Sequence, residues 1–340
     1  MENQKNYQKI CLTILNPLPD RQRQILLRRF GLGITSVKET LQKIGDDFGI
    51  TRERVRQIER DAISRLRELK NSQELESVIV SLVNYFKNNG GLKREEAVLS
   101  DLGRGKLDSY IDFILHLSSD FHYTPEGDEF FSFWAIEKTT YNKVKEVAKE
   151  ITKALRGGNE PVLEEDLLNT CSNFAPEFVL ATVDVSKSLG KGPLGKFGLA
   201  VWPEIRPKGV KDVAFLALLD SGKPLHFRAI AQRANEVAGD YFNGKIVLPQ
   251  TVHNELIRDE RFVLVGRGIY GLKEWGYSQG TVKEIIASVL REASRPLNKE
   301  EILVKVKNQR VVKDNTVFLN LSDKNYFHRN QDGKYIVQES

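Results

Sequence analysis

The chain has 340 residues, 40% of them apolar and 29% charged, with a formal net charge of +5. At about 100 to 200 residues per domain this length implies two or more domains or a series of small modules, and the apolar content is that of a folded soluble chain rather than a disordered one. No apolar run approaches the roughly 18 to 20 residues that a membrane span requires, and the polar start MENQKNYQKI is not a signal peptide, so a cytoplasmic protein without a membrane partner is expected.

Cys11 and Cys171 are too far apart in the chain to suggest a disulfide framework or a Cys-x-x-Cys half-site. The five histidines (His116, His122, His226, His253 and His328) are scattered, so neither a metal site nor a cofactor is expected. The charge is unevenly placed. Residues 1–70 hold 15 Lys plus Arg against 9 Asp plus Glu, whereas the other 270 residues hold 36 against 37. A basic excess confined to one fifth of the chain fits a module that touches a polyanion, because Lys and Arg gain affinity by displacing counterions from phosphates.

Taken in chain order, LPDRQRQILLRRFGL predicts a first helix capped by Asp20, with apolar Ile25, Leu26 and Phe30 on one face and Gly31 and Gly33 beyond its end. Val37, Leu41, Ile44 and Phe48 predict a second, short amphipathic helix. Gly49 then suits a tight turn, and Thr51 suits the N-cap of a longer helix. Two helices joined by a short Gly-containing turn form the helix-turn-helix pattern. On the longer helix Val55, Ile58, Ala62, Leu66 and Leu69 share an inward face. Arg52, Glu53, Arg56, Gln57 and Arg60 share the other, concentrated in the turns where a recognition helix meets base edges. Arg suits guanine, Gln suits adenine and Glu suits the cytosine amino group. The competing reading is a solvated charged face, with Glu53 and Arg56 as an ordinary helical ion pair.

The run TLQKIGDDFGITRERVRQIERDAISRLR, preceded by LPDRQRQILLRRFGL, closely resembles the fourth conserved region of bacterial primary-type sigma factors. The resemblance implies recognition of the upstream, minus-thirty-five promoter element in double-stranded DNA and docking on the beta flap of core RNA polymerase. Carried over by position, it makes Arg52, Glu53, Arg56 and Gln57 base readers, with Thr51 as the cap and Arg54 and Arg60 as phosphate or polymerase contacts. No segment resembles the promoter-melting or clamp-binding helices of sigma factors, so unaided promoter opening is not expected.

The rest of the chain reads as a fourfold repeat. Trp134, Trp202 and Trp275 are spaced by 68 and 73 residues and each closes a segment of similar grammar. An amphipathic helix is followed by two shorter ones and an alternating hairpin: FHYTPEGDEFFSF, SKSLGKGPLGKFGLAVW, RFVLVGRGIYGL and YFHRNQDGKYIV. Three helices and a hairpin is the winged-helix order. The third copy also resembles the HARE-type winged-helix domain of the bacterial polymerase delta subunit, on the strength of KPLHFRAIAQRANE and TVHNELIRDERFVLVGRGIYGL.

The expected fold class is therefore mainly α: a helix-turn-helix domain (1–70) followed by four tandem winged-helix modules with small β-hairpins (71–138, 139–206, 207–276 and 277–340), with linkers near Asn71, Gly209 and Tyr277. Lys187, Lys191 and Lys196 in the second module and Arg258, Arg261 and Arg267 in the third are candidates for wing contacts with phosphates. GKGPLGK lacks the Ser or Thr and the helix of a phosphate-binding loop and reads as a wing tip instead. The acid pairs Glu95–Glu96, Glu164–Glu165 and Glu300–Glu301 suit helix starts. No catalytic residues can be assembled, and no enzyme activity or small-molecule substrate is expected. Two functions follow: a sequence-specific, sigma-related transcription factor, or a polymerase-associated, delta-like interaction protein with weak or no specific DNA binding.

Overall fold

The computed structural model describes residues 4–33, 37–68, 73–239 and 246–338; the junction near Asn71 and the position of Leu69 lie outside them. The chain divides into two compact units, residues 1–191 with 197–200 and residues 192–196 with 201–340. No helix among the described residues is long and apolar enough to cross a membrane.

The first unit opens with α1 (Gln4–Leu15), α2 (Asp20–Phe30), α3 (Leu41–Phe48) and α4 (Arg52–Glu68). A three-helix module follows: α5 (Gln73–Asn88), β1 (Leu92–Arg94), α6 (Glu95–Val98) running into a π-helical turn, α7 (Asp108–Leu117), then β2 (His122–Thr124) and β3 (Phe133–Ala135). The next module contains α8 (Thr140–Gly158), α9 (Glu164–Thr170), α10 (Pro176–Val185), β4 (Leu189–Lys191) and β5 (Phe197–Leu199).

The second unit repeats the order twice. Its elements are α11 (Val210–Ser221), β6 (Leu225–His226), α12 (Phe227–Ala238), α13 (Pro249–Arg258), β7 (Phe262–Gly266) and β8 (Ile269–Leu272), then α14 (Val282–Ala293), α15 (Lys299–Gln309), α16 (Asp314–Leu321), β9 (Phe327–Arg329) and β10 (Tyr335–Val337). The class is mainly α, a helix-turn-helix followed by four helical modules that each carry a small antiparallel hairpin.

Each module also contains a strand that the sequence does not disclose. The strand order is β1-β3-β2 in one module and β6-β8-β7 in another. In the other two the extra strand shrinks to a single bridge, Val162 to Phe197 and Leu297 to Tyr335. A segment of one to three residues is too short to show alternation, which is why only the hairpin is predicted.

Neighbouring modules within each unit are stapled through their hairpins. Phe131 N–H donates to the Val185 carbonyl at 2.9 Å, and Lys187 N–H to the Glu129 carbonyl at 3.0 Å. In the second unit Val311 N–H donates to the Val265 carbonyl at 3.1 Å, and Arg310 donates to the Leu264 carbonyl at 3.3 Å. Backbone groups at a sheet edge need partners when covered, and here the adjoining module supplies them.

The helix-turn-helix does not end at its own core. Leu26, Phe30, Ala62 and Leu66 belong to one buried cluster with Phe113, Ile114 and Trp134 of the next module, and α1 adds Ile10, Cys11 and Leu15. Phe30 meets Phe113 edge-on with centroids 5.2 Å apart. Burial pushes the Cys11 thiol up to about 12, as expected of a thiol packed as an apolar side chain. Arg67 donates to the Leu117 and His116 carbonyls at 2.8 Å each, capping the C-terminal end of α7. Removing the Phe30 ring should therefore cost about 3 to 5 kcal/mol. In Phe30→Ala, denaturant unfolding followed by amide exchange should show α4 and α7 losing protection together; protection lost from α4 alone would mean that the two cores are independent.

Polar groups line the same seam. The Asp112 side chain is only 4% exposed, and Lys38 reaches it at 2.8 Å. His116 Nδ1 lies 3.2 Å from its Oδ1. His116 Nδ1 hydrogen-bonds the Asp112 carbonyl oxygen at 2.9 Å; burial opposes the charge on each member of the Asp112–His116 pair, but their close approach and mutual attraction outweigh it, so the Asp112 pKa is lowered and the His116 pKa is raised. Other neighbours of His116 are Phe30, Tyr123 and Trp134, with Lys38 the opposing charge.

The two shifts fix a pH window. The raised His116 pKa gives stability that is complete below its unfolded value of about 6.5 and fades as pH rises through the folded value. The lowered Asp112 pKa gives stability that is complete above about 4 and fades on acidification. Urea midpoints of the first unit should thus decline as pH rises past about 6.5, and His116→Gln should flatten that limb while leaving the acid limb in place.

Candidate nucleic-acid interface

Helix α4 is set by a short turn with little room. Asp20 is the first residue of α2 rather than its cap, pairing with Arg23 at 2.5 Å and placing an acid where the helix dipole favours one. Thr40 caps α3 by accepting the Lys43 N–H at 3.2 Å. Val37 precedes the helix and is 63% exposed, so it does not extend the apolar stripe. Gly49 ends α3 at φ +64, a left-handed conformation that favours glycine. Thr51 caps α4 by accepting the Arg54 N–H at 3.2 Å.

Beneath the turn, Ile25, Ile44, Val55 and Ile58 close a small core with Leu41, Phe48 and Ile50 packed against it. The turn also depends on Gly45, whose importance the sequence pattern does not reveal. A Cβ there would lie 2.6 Å from the Ile50 carbonyl oxygen.

Cations hold this arrangement from outside. Arg28 makes a two-toothed contact with Glu39 at 3.0 and 2.6 Å and also pairs with Asp47. The hydrogen bond from Arg28 holds the Glu39 carboxyl down at about 2. Arg29 pairs with Glu59 at 3.4 Å, and the Arg21 and Arg28 guanidiniums both lie over the Phe48 ring. These arginines add to the basic count of the module while serving its fold.

The outward residues of α4 form one face. Thr51, Arg52, Glu53, Arg54, Arg56, Gln57 and Arg60 are all exposed, whereas Val55, Ile58, Ala62 and Leu66 are buried. Glu53 accepts from Arg56 at 2.8 and 2.6 Å, a hydrogen bond that lowers its pKa and keeps it anionic. Arg54 donates to Gln57 Oε1 at 3.1 Å. Arg52 and Arg60 have no ion pair among the described residues. Arg56 and Arg60 also border a groove of about 400 Å³ shared with Ser64, Arg67 and His116. Chemically the face offers guanidinium forks, a carboxamide and a carboxylate, the groups that pair with guanine, adenine and cytosine edges.

The six wing cations sit in different environments. Arg261 is held between Asp212 at 2.9 Å and Asp259 at 2.8 Å, with its guanidinium over Phe215. Lys187 pairs with Glu126 at 2.5 Å, and Lys191 with Glu164 at 3.6 Å. Lys196, Arg258 and Arg267 are exposed. GKGPLGK bridges β4 and β5, so the segment is a hairpin tip. The acid pairs occupy the first turns of α6, α9 and α15, the last with an Asn298–Glu301 capping box.

Residues 14–68 match the family model for sigma-70, region 4. The N-terminal module is a sigma-70 region 4 helix-turn-helix. Among curated proteins the chain is similar to the RNA polymerase sigma factor SigA of Clostridium acetobutylicum, with 41% identity over 68 residues. That alignment covers 20% of this chain and 18% of the relative. The family match ends with α4, so the likeness concerns the helix-turn-helix.

The turn supplies a test of this geometry. Gly45→Ala should destabilise the module by about 1 to 3 kcal/mol although alanine is the better helix former, because the added methyl has no space against the backbone. Denaturation of the variant should show the loss, and an unchanged or raised midpoint would mean that the α3–α4 approach is looser than described.

Proposed function

We propose that this protein is a sequence-specific DNA-binding transcription factor related to sigma factors, working in the cytoplasm with bacterial RNA polymerase. In this reading Arg52, Glu53, Arg56 and Gln57 read a minus-thirty-five-like element in double-stranded promoter DNA, while Arg54 and Arg60 meet phosphates or the polymerase beta flap. The observation that carries it is the wholly exposed polar face of α4, mounted on a capped turn within the sigma-70 region 4 match. The Glu53–Arg56 and Arg54–Gln57 contacts are no obstacle, since exposed pairs of this kind exchange readily for better partners.

In the same reading the winged modules form a scaffold that docks on polymerase and adds phosphate contacts through Lys196, Arg258 and Arg267. Lys187, Lys191 and Arg261 are less available because their charges are already answered by acids. The delta-like alternative, a polymerase-bound interaction protein, draws support from the near balance of charge outside residues 1–70, 36 basic against 37 acidic.

Gel-shift titrations on promoter-like and scrambled duplexes at one salt concentration separate the two. Arg52→Ala or Gln57→Ala should weaken binding to the preferred duplex about tenfold to hundredfold and to the scrambled duplex far less. Equal losses on both would reduce the face to an electrostatic contact and favour the interaction protein.

A further inference from the structure

A second cationic surface lies in the first unit, away from α4. The outer face of α8 carries Lys145, Lys149, Lys153 and Arg156 at steps of four, four and three residues. They border a groove of about 700 Å³ whose far wall includes Asp128, Glu129 and Lys187. Lys145 answers Glu129 at 3.1 Å, and Lys187 is paired with Glu126. Lys149, Lys153 and Arg156 are exposed, and none has an ion pair among the described residues although Glu146 and Glu150 lie on the same helix.

This pattern is costly for a helix that has only water to face. Like charges four residues apart repel, whereas a Glu at any of these positions would attract its neighbour. The four cations span about 16 Å of helix axis, at 1.5 Å per residue. A duplex presents a phosphate every ~3.4 Å along each strand, so several fall within their reach. The occupant is further narrowed by composition. Protein interfaces are depleted in Lys and rely on apolar anchors, and here the rim is Lys-rich while the apolar members Phe130 and Ala148 are buried.

We propose that the α8 groove is a second, sequence-independent contact for the phosphate backbone of duplex DNA, added to the recognition helix of the same unit. It extends the DNA-binding reading above, and its test is built to fail separately. Full-length protein carrying Lys149→Ala, Lys153→Ala and Arg156→Ala together is titrated with preferred and scrambled duplexes across a salt series. The slope of log affinity against log salt should become shallower by up to about 3, at roughly 0.9 per phosphate contact. Affinity at low salt should fall about tenfold or more on both duplexes, with the preference between them retained. A charge-keeping variant, Lys149→Arg with Lys153→Arg and Arg156→Lys, should hold the wild-type slope and thereby exclude a folding defect. An unchanged slope in the triple alanine variant would overturn the groove while leaving the α4 reading intact if preference persists. A shallower slope in a protein without sequence preference would keep the groove and overturn the α4 reading. Loss of polymerase binding with DNA affinity untouched would assign the groove to an acidic protein surface and also overturn the proposal.

Discussion

The burial of Phe30 against Phe113 joins the helix-turn-helix to the module that follows it. The helix-turn-helix alone closes only a small core around Ile25, Ile44, Val55 and Ile58, and so small a core supports little stability. Its other apolar face, formed by Leu26, Phe30, Ala62 and Leu66, is completed by α1 and α7. Helix α4 is thus one wall of a larger core, and its orientation is fixed by the buried side chains of its inward face, Ala62 and Leu66. The Lys38–Asp112–His116 contacts and the Arg67 cap add polar connections across the same seam. They tie the two modules to one register, because a buried carboxylate tolerates loss of its partners poorly.

Much of the N-terminal site is legible in the sequence because its signals are local. Thr51, Gly49 and the alternation of Val55, Ile58 and Ala62 with Arg and Glu define a turn and a two-faced helix within a few residues. What escapes is whatever depends on approach through space. Gly45 looks like a tolerated glycine inside a helix until its proximity to the Ile50 carbonyl is known. Val37 fits the helical period but lies before the Thr40 cap. The single-bridge strands at Val162 and Leu297 have no pattern of their own, since their pairing is set by β5 and β10.

Repetition shows the same division. The fourfold grammar of helix, helix, helix and hairpin can be read from the spacing of tryptophans and apolar runs. The stapling of modules in pairs cannot, because it is made by backbone groups of Glu129, Phe131 and Val265 whose side chains carry no signal. The chain divides into its two compact units near Val201, and each contains more than one copy of the element repeat.

Charge is where sequence arithmetic and structure diverge most. The excess of 15 basic over 9 acidic residues in residues 1–70 points to the helix-turn-helix, yet Arg28, Arg29 and Arg67 are engaged in holding it together. The remainder of the chain is nearly neutral by count, and that balance hides Lys149, Lys153 and Arg156 of α8, which are exposed and have no ion pair among the described residues although Glu146 and Glu150 share their helix. Since phosphate attraction depends on local potential and falls off within about a Debye length of roughly 8 to 10 Å, the sum over a module is a poor guide to where a polyanion settles. What decides it is which cations lack acids in their immediate surroundings. By the count of ion pairs, Arg52 and Arg60 of α4 stand with Lys149, Lys153 and Arg156 of α8, whereas Arg56 and Lys145 are answered by Glu53 and Glu129, and by net charge only the first helix would have been sought.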